Sequence, residues 1–225
     1  MKYLIDSANI EKIRACLDCF PIDGVTTNPS LVSKDDTGFK ELISGIRELI
    51  GKDRIMLVQT TAHDADSIVE EGKALKEFVG GNFYLKIPAT PQGLKAVYAL
   101  SQQGIKTAVT TVFTPQQALL SAQSGASFVA LFINRFESSL GDGGQLVEQT
   151  ARLFDVNGCE CEILAASFKN AEQVNRVMLA GADAVTVPPE IYPSLISHPL
   201  TDIAIERFNS DWKTKYGEKT VLDLI

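Results

Sequence analysis

The chain has 225 residues, of which 45% are apolar and 22% charged, and its formal net charge is −7. That length suffices for one large domain with a sizeable core, and the acidic balance argues against a nucleic-acid partner, because there is no basic excess to neutralise phosphates. Apolar runs are strand-sized, so no membrane partner is expected, and Asp6 interrupts the N-terminus too early for a signal-peptide core, which makes the cytoplasm the default compartment.

Short β-type runs then alternate with helical patterns from end to end. The strands are expected at 3–6, 24–27, 55–59, 83–87, 106–111, 128–134, 162–167 and 184–187. The helices that follow them are expected near 9–19, 38–50, 64–79, 91–103, 115–124, 143–156, 170–180 and 189–197. Strands alternating with helices indicate right-handed βαβ crossovers and a parallel sheet. Eight such units in about 200 residues match an α/β single (β/α)8 TIM barrel. A doubly wound open sheet is the alternative, but no Gly-x-Gly-x-x-Gly follows any strand.

One domain over 1–225 is therefore expected, with an extra C-terminal helix from about 198 to 212. Pro199 stands in its first turn, where proline is tolerated. The chain ends on Val221-Leu222-Asp223-Leu224-Ile225. The segment 198–225 is expected to contact a neighbouring subunit. The alternatives are that it folds back on its own barrel or is disordered.

The cysteines fall in two pairs, Cys16/Cys19 and Cys159/Cys161. Cys16 and Cys19 flank the apolar stripe Ile10, Ile13, Leu17 and Phe20, and only one residue separates the second pair. Free thiols that pack as small hydrophobes fit this spacing better than a four-thiolate zinc site. His63 and His198 are the only histidines, so neither a His-based metal site nor a His triad is expected.

Lys86 lies in the apolar run Phe83-Tyr84-Leu85-Lys86-Ile87-Pro88. Phe83, Leu85 and Ile87 share one face, suited to packing under outer helices; Tyr84 and Lys86 share the other, which points into the barrel. Burial favours the neutral amine, and a neutral amine attacks carbonyls. The alternative is a lysine that snorkels to solvent from a strand end.

Barrel chemistry sits at the C-terminal ends of the strands, and here those ends carry polar residues. Asp6 closes the first strand, Thr26, Thr27, Asn28 and Ser30 the second, and Gln59 the third. Thr110 and Thr111 close the fifth, Asn134 and Arg135 the sixth, and Ser167 and Lys169 the seventh. Each has a plain structural reading as a helix cap, a turn, a satisfied core amide or a surface ion pair. Jointly, one rim would need many unrelated polar accidents. Arg135, Ser167 and Lys169 supply a guanidinium fork, a hydroxyl and an ammonium, which together suit a phosphorylated or similarly anionic small molecule. A phosphosugar isomerase would want a neutral histidine beside a carboxylate, and only His63 lies near a strand end. A barrel that merely binds a phosphometabolite is a further alternative.

Leu4-Ile5-Asp6-Ser7, Gly24-Val25-Thr26-Thr27-Asn28-Pro29-Ser30, Leu85-Lys86-Ile87-Pro88, Asn134-Arg135 and Ala165-Ala166-Ser167-Phe168-Lys169 resemble the small transaldolases and fructose-6-phosphate aldolases, in order along essentially the whole chain. The resemblance implies a (β/α)8 barrel of Schiff-base enzymes of carbohydrate metabolism without metal or organic cofactor. It also implies a homo-oligomer (a pentamer or decamer) whose last helix reaches a neighbour. Carried over position by position, Lys86 forms the imine and Asp6 is the general acid/base. Gln59 and Thr110 hold a proton-relaying water. Thr26, Asn28 and Ser167 bind the dihydroxyacetone portion, while Arg135, Ser167 and Lys169 hold phosphate. Phe132 and Gln59 separate the branches and disagree, and Asn134 adds a third indication. Phe132 matches transaldolases, whereas aldolases place tyrosine there; Gln59 and Asn134 lean to the aldolases. A phenylalanine cannot deliver a proton, so the enamine should wait for an acceptor aldehyde, and transfer is expected over release.

Overall fold

In the computed structural model, which describes residues 1–225, each of the first seven strands is followed by one or two helices. β1 (Lys2–Asp6) leads to α1 (Ile10–Cys19), and β2 (Gly24–Thr26) to α2 (Pro29–Val32) and α3 (Phe39–Ile50). β3 (Ile55–Gln59) leads to α4 (Ala65–Val79), β4 (Phe83–Pro88) to α5 (Pro91–Ser101), and β5 (Thr107–Val112) to α6 (Pro115–Gln123). β6 (Phe128–Phe132) leads to α7 (Ile133–Glu137) and α8 (Gly143–Asn157), β7 (Glu162–Ala166) to α9 (Ala171–Leu179), and last comes β8 (Ala184–Val187). All pairings are parallel and β8 returns to β1, so the sheet closes into an eight-stranded barrel. This is the expected (β/α)8 architecture.

The helix starts are written in the loops. Asn9, Asn28, Asp64, Thr90, Thr114, Asp142 and Asn170 each accept a backbone N–H at the third helical position. Such caps satisfy otherwise orphaned donors and are worth roughly 1 kcal/mol each. Pro29, Pro91 and Pro115 open three of the helices, where the missing N–H costs nothing. The barrel interior is filled by Leu4, Ile55, Leu57, Tyr84, Ala108, Phe128, Ala130, Leu164 and Ala184. Large and small side chains interdigitate there, and the Tyr84 and Phe128 rings stand 5.2 Å apart. Where β2 meets β3, a Cβ on Gly24 would lie 2.3 Å from the Ile55 carbonyl oxygen, so this contact requires glycine.

Two local expectations differ from the structure. The sixth strand ends at Phe132, and residues 133–137 are helical; the unbroken apolar run disguised the turn, because buried strands and buried helices look alike over so few residues. The helix expected at 189–197 is only a 3₁₀ turn, Tyr192–Leu195, since Pro193 falls in its interior, where proline removes a donor and clashes with the preceding turn.

The chain divides into two compact units, Met1–Ile191 and Tyr192–Ile225. The second contains the 3₁₀ turn, α10 (Pro199–Tyr216) and a last 3₁₀ turn at Val221–Leu224. His198 caps α10 through Nδ1, which accepts from the Leu200 N–H. The Trp212 indole packs on Tyr216 at 4.6 Å and donates to the Lys219 carbonyl at 2.7 Å. No helix of the chain is long and apolar enough to cross a membrane.

Candidate active site

Strand register sets each charged residue beside a polar neighbour, and closure of the barrel puts both on one rim. Asp6 pairs with Thr26 across β1–β2, and Gln59 pairs with Lys86 across β3–β4. Tyr84 packs in the inner core, so Lys86, two residues on, faces inward at the C-terminal end of the barrel. There a cavity of about 340 Å³ is lined by Asp6, Asn28, Gln59, Lys86, Thr111, Phe132, Arg135 and Ser167 together with Pro29, Ser30 and Ala166.

Lys86 is 3% exposed. Its only hydrogen bond within reach is a long one, donated by Nζ to the Thr27 carbonyl at 3.5 Å. Burial pushes the amine's pKa below the ordinary lysine value, Asp6 pulls it back up, and Arg135 lowers it further. Asp6 is shifted the other way: burial raises its carboxyl, while Lys86, a hydrogen bond from Thr26 and Arg135 hold it down. An amine biased towards its neutral form thus faces a carboxylate biased towards holding a proton, the pairing that imine formation and proton transfer require.

Thr26 lies behind Asp6, fully buried, and not on the cavity wall. Its hydroxyl donates to Asp6 Oδ1 at 2.9 Å and stands 2.6 Å from the Thr186 hydroxyl. Having given its one proton to Asp6, Thr26 accepts from Thr186. The charged groups acting on Asp6 are Lys86 and Arg135; Lys12, Lys34, Asp35 and Glu190 ring a second cavity of about 380 Å³ that shares Asp6 with the first. Replacing Thr26 by valine removes a bond to the ionised carboxylate, and the Asp6 pKa therefore rises further. In Thr26→Val the acid limb of kcat/KM is expected to move to higher pH, with activity below neutrality down about tenfold. An acid limb that stays in place in a pH–rate profile contradicts this role.

Asn28 caps α2 through its side-chain oxygen, which accepts from the Leu31 N–H at 3.0 Å; the amide group is the part left to meet a ligand. The Phe132 ring is a shared neighbour of two cations: Lys86 Nζ lies 6.0 Å and the Arg135 guanidinium 5.1 Å from its centroid. Phe113 braces it edge-on at 5.8 Å. Lys169 is exposed and does not line the cavity.

Thr110 is fully buried, and its hydroxyl has no partner within the protein. Its neighbour Thr111 reaches the cavity wall instead, a position that sequence reasoning did not single out as a site residue. The β5–β6 register slips between Val109 and Val112, and in that bulge Thr111 takes φ +58°. Ser167 also sits at positive φ, +67°. Of three non-glycine residues in this region of backbone space, two line the cavity. Such strain costs on the order of 1–3 kcal/mol per residue and persists where the surroundings impose it, as at functional sites.

The four cysteines are free thiols, and no group of three or more His, Cys, Asp or Glu side chains converges on a metal-sized site.

The family described as Transaldolase/Fructose-6-phosphate aldolase matches residues 3–223. A probable transaldolase of Aquifex aeolicus is 43% identical over 97% of this chain and 99% of its own length. Those of Symbiobacterium thermophilum and Geobacillus thermodenitrificans are 40% and 41% identical, over 96% and 94% of this chain and 99% and 98% of their own lengths. Among solved structures, one titled "Native KDPGal structure" superposes with TM-score 0.58 at 14% identity, covering 82% of this chain and 80% of that one. A flavocytochrome b2 mutant superposes with TM-score 0.60 at 10% identity, covering 84% of this chain and 57% of that one. At such identities these two share the fold alone.

Proposed function

The chain belongs to the transaldolase/fructose-6-phosphate aldolase family, and from that premise we propose that it is a Schiff-base transaldolase that moves a dihydroxyacetone unit between sugar phosphates. The observation that carries this reading is Lys86, a buried amine of lowered basicity that faces Asp6 across a cavity at the C-terminal rim of the barrel.

The Lys86 amine adds to the C2 carbonyl of the ketose phosphate, and water leaves to give an iminium. Asp6 takes the proton of the C4 hydroxyl. The C3–C4 bond then breaks, its electron pair moves into the iminium as an enamine, and the aldose phosphate departs. An acceptor aldehyde is attacked by the enamine carbon, Asp6 returns the proton to the new hydroxyl, and water hydrolyses the imine. Gln59 and the Thr110 hydroxyl are assigned to the water that serves imine formation and hydrolysis. Asn28 and Ser167 are assigned to the dihydroxyacetone hydroxyls, with Thr26 supporting Asp6 from behind. Arg135 and Ser167, with Lys169 at the outer edge, are assigned to the phosphate.

Phe132 gives this reading its transferase character. No ionisable hydroxyl stands beside the enamine at that position, so protonation and release of free dihydroxyacetone are slow relative to capture by an aldehyde. A second reading, fructose-6-phosphate aldolase, is favoured by Gln59, which lines the cavity and cannot ionise. A coupled assay separates the two. Fructose 6-phosphate alone is expected to release glyceraldehyde 3-phosphate to about one equivalent per site, with sustained turnover only when erythrose 4-phosphate is added. Many turnovers without an acceptor establish the aldolase instead. A homo-oligomer is part of the same reading, supported by Leu200, Ile203 and Phe208, which stand exposed on α10.

A further inference from the structure

Gln173 is a buried amide on α9, 5% exposed, and both ends of it are committed. Its Oε1 accepts the Lys169 backbone N–H at 2.8 Å. Its Nε2 donates to Asn134 Oδ1 at 3.2 Å and to Glu137 Oε2 at 2.6 Å. The orientation of the amide is unambiguous, because a backbone N–H requires the oxygen and a carboxylate requires the nitrogen. Glu137 is itself held by Arg176 of α9. Asn134 adds a backbone bond to the Ser167 carbonyl at 2.9 Å.

These bonds join two segments that are far apart in sequence. One is α7, which carries Arg135 between Asn134 and Glu137. The other is the β7–α9 loop, which carries Ser167 and Lys169. The same fold contains a comparison. Gln117 occupies the equivalent place on α6, three residues after its cap, and accepts the Phe113 N–H at 2.8 Å. A glutamine that only finishes a helix start needs that bond alone. Gln173 makes it and then reaches across to the neighbouring helix with both amide protons.

We propose that Gln173 is a positioning residue that sets the spacing between Arg135 and Ser167, and so determines the preference of the enzyme for donors with a phosphate tail. The proposal rests on the reading of Arg135 and Ser167 as the phosphate-binding pair. Without Gln173, α7 keeps its backbone bond to the Ser167 carbonyl and its Arg176–Glu137 ion pair but loses the side-chain brace to the Lys169 end of the loop, and the guanidinium and the hydroxyl meet one phosphate less well. Lys86 and Asp6, on β4 and β1, stay where they are.

Borohydride trapping of the Lys86 adduct tests this on the intact enzyme, with fructose 6-phosphate as the phosphorylated donor and dihydroxyacetone as the donor without phosphate. In Gln173→Ala, half-saturation by fructose 6-phosphate is expected to rise about tenfold, while half-saturation by dihydroxyacetone stays within about twofold. Gln173→Glu separates the two jobs of the side chain, since a carboxylate still accepts the Lys169 N–H but cannot donate to Asn134 or Glu137. It is expected to behave like the alanine variant. Wild-type behaviour of Gln173→Glu, or an equal change for both donors in either variant, reduces Gln173 to a helix cap and overturns the proposal. Arg135→Ala tests the premise separately. If it leaves fructose 6-phosphate binding unchanged, the phosphate assignment falls and the proposal with it. If it weakens that binding while the Gln173 variants do not, only the proposal falls.

Discussion

Lys86→Met is expected to lower kcat by a factor on the order of 10⁴ or more, the scale of loss when a covalent nucleophile is removed. The side chain is nearly isosteric, so it fills the space among the inner residues without opening a cavity. What disappears is the nitrogen. No other lysine lines the cavity, so no neighbour can form the imine in its place. Steady-state assay of dihydroxyacetone transfer measures the loss, and the melting temperature of the variant checks that the barrel is intact. Residual turnover within about a hundredfold of wild type would mean that the reaction does not pass through an imine on this residue.

Asp6→Asn is expected to lower kcat by about 10²–10⁴, the usual contribution of a positioned acid/base, but to leave imine formation in place. The two variants therefore fail at different steps. The amide can still be held by Thr26, so the geometry survives while the capacity to take a proton does not. With fructose 6-phosphate the variant should accumulate an uncleaved adduct that retains all six carbons of the sugar, because the C3–C4 bond cannot break until the C4 hydroxyl is deprotonated. Mass spectrometry of the reduced adduct distinguishes a six-carbon from a three-carbon fragment. A three-carbon adduct formed at the wild-type rate would assign the proton transfer to another group. The directions of the two pKa shifts support this division: burial holds the Lys86 amine towards its neutral form and the Asp6 carboxyl towards its protonated form, while the charge of each opposes the shift of the other.

Period-two alternation made the inner face legible in advance. Tyr84 with Lys86, Leu4 with Asp6, and Leu57 with Gln59 follow from it directly, because a strand side chain has only two directions to take. The alternation of strands and helices was equally plain, since most helix starts carry a cap residue and several a proline. Legibility ended where tertiary packing overrides local pattern. The bulge that places Thr111 on the cavity wall has no signature in Ala108-Val109-Thr110-Thr111-Val112, and β-branched residues are the last expected at positive φ. α7 was hidden because Phe132 and Ile133 continue an apolar run. Thr26 was readable as a rim residue but not as the support of Asp6, because its partner Thr186 lies 160 positions away. Gln173 stayed silent for a similar reason: three residues after Asn170 it looks like an ordinary helix-start residue, and only the packed structure shows its bonds to Asn134 and Glu137.

On the proposed reading, Lys86 and Asp6 act on one covalent intermediate, and it can be caught. The most direct test is to incubate the enzyme with fructose 6-phosphate, reduce with borohydride, digest and locate the modified peptide by mass spectrometry. A stable adduct is predicted on Lys86 and on no other lysine, irreversibly inactivating the enzyme, and none is predicted in Lys86→Met. An active enzyme that yields no reducible adduct, or one whose adduct maps to a different lysine, would contradict the account at its centre.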